Sequence, residues 1–279
     1  MSGAHAQASY GVRCDWGPSG AAAVAVGADL AVVVDVLSFT TTLTVALERG
    51  ITVYPYRWRD DRAQAYADER DAVLAIGRFE QDDAKVGVSL SPAAMSTVRG
   101  VERIVLPSPN GSTIAFALAH SGTTVVGACL RNARAVAAWL APQVVAGAVI
   151  AVVAAGERWP DGSLRPAVED LWGAGAVLAA LAVALTNELT NELTNELTNE
   201  SADDIGAASF SPEASYAAAA FRTVEPTLAA SLEACASGRE LVDAGFADDV
   251  RVAADLDASA VVALLVGDAF ISAAGLRQT

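Results

Sequence analysis

Short Val-rich apolar runs alternate along this chain with segments whose apolar residues recur at three- and four-residue spacing. Asp29 to Val36 is apolar except at its two ends, the pattern of a strand covered on both faces. It stops at a hydroxyl-rich turn, Ser38-Phe39-Thr40-Thr41-Thr42. Leu43, Val45, Ala46 and Leu47, with Gly50 behind them, then predict a helix closed by a glycine. The unit repeats. Strands are predicted over residues 51–56, 72–76, 101–106, 123–127 and 149–154, and helices over 60–70, 114–119, 133–140 and from near Val168. Residues 158–165 read as a loop. Beyond Pro212 the pattern predicts Ala-rich helices, a strand at 250–253 and a last apolar helix from Ala258. Alternation of this kind predicts a three-layer α/β fold, with a mainly parallel or mixed sheet and helices on both faces. Ligands of such sheets bind beyond the carboxyl ends of the strands. The 279 residues suit one domain, with lobes of about 12–145 and 146–279 as the alternative division.

One stretch breaks the pattern: residues 185–200 repeat Leu-Thr-Asn-Glu without variation. A four-residue period in a helix drifts by about 40° per repeat, so its leucines spiral instead of holding one face. The segment reads as a length expansion, extending a helix or looping out, with no part in chemistry.

Composition narrows the function. A formal net charge of −15 with 18 scattered Lys and Arg excludes nucleic acid and anionic membranes as natural partners. Cys14, Cys129 and Cys235 follow no metal spacing and read as reduced thiols. No signal peptide or membrane-spanning run is evident, so a cytoplasmic protein is expected. The 53% hydrophobic content permits a homodimer without arguing for one. An acidic protein that handles an anionic substrate needs local positive potential from Arg, a metal ion or helix N-termini.

Four places could supply that chemistry. Asp35 ends a buried run, where a carboxylate needs a partner; either it ligates Mg²⁺ or positions a phosphoryl group while the hydroxyls and amides of Thr40, Thr41 and Thr42 cradle phosphate oxygens, or it and the threonines only cap the next helix. Asn110-Gly111-Ser112 places a glycine and a hydroxyl before a helix, either to aim N–H groups at an anion or as a plain N-cap. Arg131-Asn132 follows a strand, and the Arg either grips an oxyanion with two hydrogen bonds or lies on the surface. Glu169 and Asp170 open a helix; they either serve the helix dipole, or one faces a metal while the other caps.

Taken in chain order, these blocks resemble one family. Val34-Asp35-Val36-Leu37-Ser38-Phe39-Thr40-Thr41-Thr42, Pro109-Asn110-Gly111-Ser112, Arg131-Asn132-Ala133, Val168-Glu169-Asp170-Leu171-Trp172-Gly173-Ala174-Gly175, and Gly238-Arg239-Glu240-Leu241 with Gly245-Phe246-Ala247-Asp248-Asp249-Val250 are similar to the successive motifs of the 2-phosphosulfolactate phosphatase family. The resemblance implies Mg²⁺-dependent hydrolysis of 2-phospho-3-sulfolactate to 3-sulfolactate and phosphate, a step of coenzyme M synthesis. It implies Asp35, Glu169 and Asp170 as catalytic and metal-binding residues. Thr40, Thr41, Asn110, Gly111, Ser112, Arg131 and Asn132 would meet a small anionic phosphorylated substrate. The chain departs from the family pattern at Ser38, at Gly77-Arg78 and at Ser89-Leu90-Ser91-Pro92. A non-catalytic anion-binding protein derived from the family is the competing expectation.

Overall fold

The computed structural model describes residues 4–57, 60, 62–77, 88–119, 121–195 and 210–278. Six five-residue strands carry its centre: β1 (Val12–Trp16), β2 (Leu30–Val34), β3 (Thr52–Tyr56), β5 (Arg103–Pro107), β6 (Thr124–Ala128) and β7 (Ile150–Ala154), joined by the short β4 (Val73–Leu74). Two C-terminal strands, β10 (Ala263–Val266) and β11 (Ala269–Ser272), complete a nine-stranded mixed sheet of order β1-β7-β2-β6-β10-β11-β3-β5-β4. β1, β7, β2 and β6 run parallel, as do β3, β5 and β4, and the antiparallel β10–β11 hairpin joins the two groups.

Helices cover both faces. Val32, Val34 and Val36 point to one side, where α6 (Ala133–Val145), α7 (Val168–Asn195) and α8 (Pro212–Val224) complete the larger core. Ala31 and Val33 point to the other, toward α1 (Gly17–Val24), α2 (Phe39–Glu48) and α5 (Gly111–Leu118). This alternation is the period of two expected of a strand buried on both faces. The second core also takes in Ile104 and Leu106 of β5 and Phe270 of β11, so the sheet wraps around α2 and α5. That curl brings the carboxyl end of β5 to the carboxyl end of β2, five places away in strand order.

Within α7, residues Val168–Glu188 are long and apolar enough to cross a membrane by length and composition, but 61% of that window is buried inside the fold. Gly175 explains the packing: a Cβ there would lie 2.1 Å from the carbonyl oxygen of Ala217, so α7 and α8 touch backbone to backbone. The Leu-Thr-Asn-Glu repeat continues α7 as far as Asn195, and its remainder lies outside the described residues, as does Arg78.

Several elements differ from the sequence pattern. Residues 158–165, expected as a loop, form the small ribbon β8 (Glu157–Arg158) and β9 (Leu164–Arg165). Residues 250–253, expected as a strand, lie in α11 (Ala247–Ala254), after α9 (Leu228–Ala234) and α10 (Ala236–Asp243). Val250 and Val252 alternate like a strand, but Val250 and Ala253 are the fully buried pair, a helical spacing, and Asp248 and Asp249 favour a helix N-terminus. The expected last helix is the β10–β11 hairpin. Its turn is Gly267-Asp268, with Gly267 at φ +63°, a conformation glycine reaches without strain.

Candidate active site

Four carboxylates from three segments of the chain come together beyond the carboxyl ends of β2 and β7. Asp35 follows β2, Glu157 follows β7, and Glu169 and Asp170 open α7. Glu157 was not anticipated from the sequence; its only signal is a Gly-Glu pair just past a strand.

Each acid is held differently. Asp35, 4% exposed, accepts the Phe39 amide on Oδ1 at 3.1 Å and the Gly111 amide on Oδ2 at 2.8 Å. The approach of Gly111 admits no side chain, since a Cβ would sit 2.6 Å from Cβ of Asp35. Asp170 accepts the Val36 amide on Oδ1 at 2.7 Å and the Gly156 amide on Oδ2 at 2.8 Å, tying α7 to the ends of β2 and β7. Glu157 accepts Nδ2 of Asn110 at 2.7 Å. Glu169, 2% exposed, receives among the described residues a weak Cys235 thiol contact on Oε2 at 3.5 Å.

Crowding raises the proton affinity of two of them. Burial, then the negative charges of Asp35 and Glu169, push the Glu157 carboxyl up to about 7, against the opposing effect of Asn110 and Arg165. Burial and the neighbouring Asp35, Glu169 and Glu157 hold Asp170 well above the ordinary carboxylate range. Such a group has two means of relief, protons or a cation. Among the described residues no three Asp, Glu, His or Cys side chains converge as a closed metal cage. Mg²⁺, however, commonly takes one or two carboxylates, keeps several waters and borrows substrate phosphate oxygens. The all-oxygen donor set and the surplus of buried negative charge fit that mode of binding.

The other anticipated residues are used differently. Thr40 and Thr41 lie inside α2, not in a loop before it; their hydroxyls donate back to the carbonyls of Asp35 and Val36 at 2.7 and 2.8 Å. The Ser112 hydroxyl is shared among Tyr56 and Leu106 backbone groups, and Asn132 bonds Cys129, Gly127 and Val261 backbone. Gly111 offers its amide to Asp35, so it orders the acid and is not aimed outward. Arg131 lies apart from the four acids: its Nη1 donates to Asp255 at 3.0 Å and to the Val252 carbonyl, and its Nη2 faces Glu48 at 3.4 Å. The guanidinium expected to grip a substrate therefore joins α2 to the end of α11.

The stretch of the chain that matches a known family contains all four acids. The 2-phosphosulpholactate phosphatase family model matches residues 21–268. A protein of Thermus thermophilus described as a probable 2-phosphosulfolactate phosphatase is 33% identical over 151 residues, which are 53% of this chain and 60% of that protein.

Proposed function

Because the chain belongs to the 2-phosphosulfolactate phosphatase family, we propose that it hydrolyses 2-phospho-3-sulfolactate, or a similar small acidic phosphomonoester, to the free alcohol and phosphate with Mg²⁺ bound. The observation that carries this reading is the group of three buried carboxylates, Asp35, Glu169 and Asp170, joined by the half-buried Glu157 at the strand ends. Asp35 and Glu169 would hold Mg²⁺, which when bound offsets charge on the phosphoryl oxygens. Asp170, fixed by two backbone amides, positions the loop ends that carry Asp35 and Glu157. Glu157 holds a proton near neutral pH and is placed to give it to the leaving oxygen as the phosphorus–oxygen bond breaks, since an alkyl alcohol leaves poorly as an anion. Asn110 orients that carboxyl through Oε2.

Phosphate release from a panel of phosphomonoesters, with and without Mg²⁺, tests the reading. Activity is expected to vanish after exhaustive chelation and to fall by roughly a hundredfold or more in Asp35→Asn, the scale of losing one charge-stabilising group. No phosphate release from any ester by the wild type would leave the competing reading of a non-catalytic anion-binding protein. Undiminished turnover after chelation would refute the metal.

A further inference from the structure

The ribbon β8–β9 carries two arginines that are used in opposite ways. Arg158 spends its fork on backbone: Nε and Nη2 donate to the Pro109 carbonyl at 3.3 and 3.2 Å, and Nη1 to that of Gly162 at 3.4 Å. Arg165 donates a single hydrogen bond, from Nη2 to Oγ of Ser237 at 2.9 Å, while its guanidinium lies 5.9 Å from the centre of the half-exposed Trp159 ring. Among the described residues its Nε and Nη1 have no acceptor.

Register settles where Arg165 points. Glu157 and Arg165 are directly opposed in the antiparallel ribbon, whereas Arg158 opposes Leu164. Opposed residues project from the same face, with Cβ atoms typically about 5 Å apart. The face that delivers Glu157 to Asn110 and the carboxylates therefore also delivers Arg165. Arg165 accordingly draws down the proton affinity of Glu157, yet no ion pair between them is among those formed by the described residues.

The turn that receives Arg165 is the N-terminus of α10, part of the block Gly238-Arg239-Glu240-Leu241 that the reaction has so far left without a role. Within four residues it meets both sides of the site: the Cys235 thiol contacts Glu169, and the Ser237 hydroxyl accepts Arg165. Gly238 closes this turn, its amide donating to Cys235 Sγ at 3.3 Å, and a Cβ there would fall 1.7 Å from the Leu232 carbonyl oxygen. The turn is therefore a rigid bracket.

We propose that Arg165, held by Ser237, binds the second anionic group of the substrate, a carboxylate or sulfonate a few bonds beyond the leaving oxygen, and so selects acidic phosphomonoesters over neutral ones. The inference rests on the phosphatase reading above. If Glu157 protonates the leaving oxygen, the remainder of the substrate lies on the Glu157 side of the phosphorus, and the residue opposite Glu157 is Arg165. A guanidinium with unspent N–H groups, braced from one side, is suited to two-pronged contact with an oxyanion.

Two measurements test this. In the Mg²⁺-loaded protein, 3-sulfolactate and inorganic phosphate are titrated separately by calorimetry. Kinetically, kcat/KM for 2-phosphoglycolate is divided by that for 4-nitrophenyl phosphate, which carries no second acid. Arg165→Ala is expected to weaken 3-sulfolactate binding and to lower the ratio by roughly ten- to a hundredfold, the scale of a hydrogen-bonded charge, mostly through KM. Arg165→Lys should fall between, and Ser237→Ala, which removes one hydrogen bond without touching the guanidinium, should cost about three- to tenfold. Equal losses for 3-sulfolactate and phosphate, or an unchanged ratio, would overturn the inference and leave the phosphatase reading standing. Arg165-dependent binding of 3-sulfolactate by a protein that releases no phosphate from any ester would do the reverse.

Discussion

In the proposed reaction Glu157 is the proton donor, and burial is the first cause of its raised proton affinity. A general acid must keep its proton until the leaving oxygen needs it, so kcat/KM should fall as pH rises through about 7, where burial and the neighbouring acids place this carboxyl. Glu157→Gln should lower the rate by roughly a hundredfold or more and flatten that alkaline limb; a limb that persists unchanged in the variant would assign it to another group. Arg131 carries the opposite lesson. Its partners Glu48 and Asp255 place it in the fold, so Arg131→Ala should cost about 1–3 kcal/mol and lower Tm by several degrees. Its kcat/KM should change far less than that of Asp35→Asn, and a reversed order would return Arg131 to the site. Asp35, Glu169 and Asp170 were recognisable from sequence as candidates, because each sits where a strand ends or a helix begins. Glu157 and Arg165 were not, because what unites them is register in a two-residue ribbon, which leaves no periodic trace in composition.

At the level of elements, the central strands and helices could be read directly, since a both-faces-buried strand and an amphipathic helix impose different periods on the same apolar alphabet. The errors cluster at the C-terminal end. In α11 two valines mimic strand alternation, and at β10–β11 a continuous apolar run hides a two-residue turn at Gly267-Asp268. The Leu-Thr-Asn-Glu repeat extends α7 away from its first turn, where Glu169 and Asp170 lie. Deleting two of its units between residues 185 and 200 removes eight residues, about 12 Å of helix, without changing the joining sequence. Turnover should stay within about twofold of the parent, the scale of a change remote from the bound substrate; a large drop in kcat with an unaltered melting curve would show that the repeat reaches the substrate.

For the whole molecule, the buried acids make stability a function of pH. The folded Glu157 carboxyl titrates at about 7 against an ordinary 4.5, so between those values the folded state binds more protons than the unfolded chain. Stability should therefore decline as pH rises across that window, and Asp170 acts in the same direction. In the absence of Mg²⁺ the denaturant midpoint should be lower at about pH 8 than at about pH 5, and Glu157→Gln should narrow the gap. A midpoint that rises over this interval would contradict the assignment. The sheet itself carries a further consequence, one of timing. Its two parallel groups meet only through β10 and β11, which are encoded last. A chain emerging from the ribosome has translated Asp35, Glu157, Glu169 and Asp170 long before residues 263–272, so β6 and β3 wait with open edges for their partners. The closing contacts are thus among the most distant in sequence, Val53 with Phe270 for example, and vectorial synthesis leaves the nascent protein unable to finish its sheet until residues 263–272 have been made.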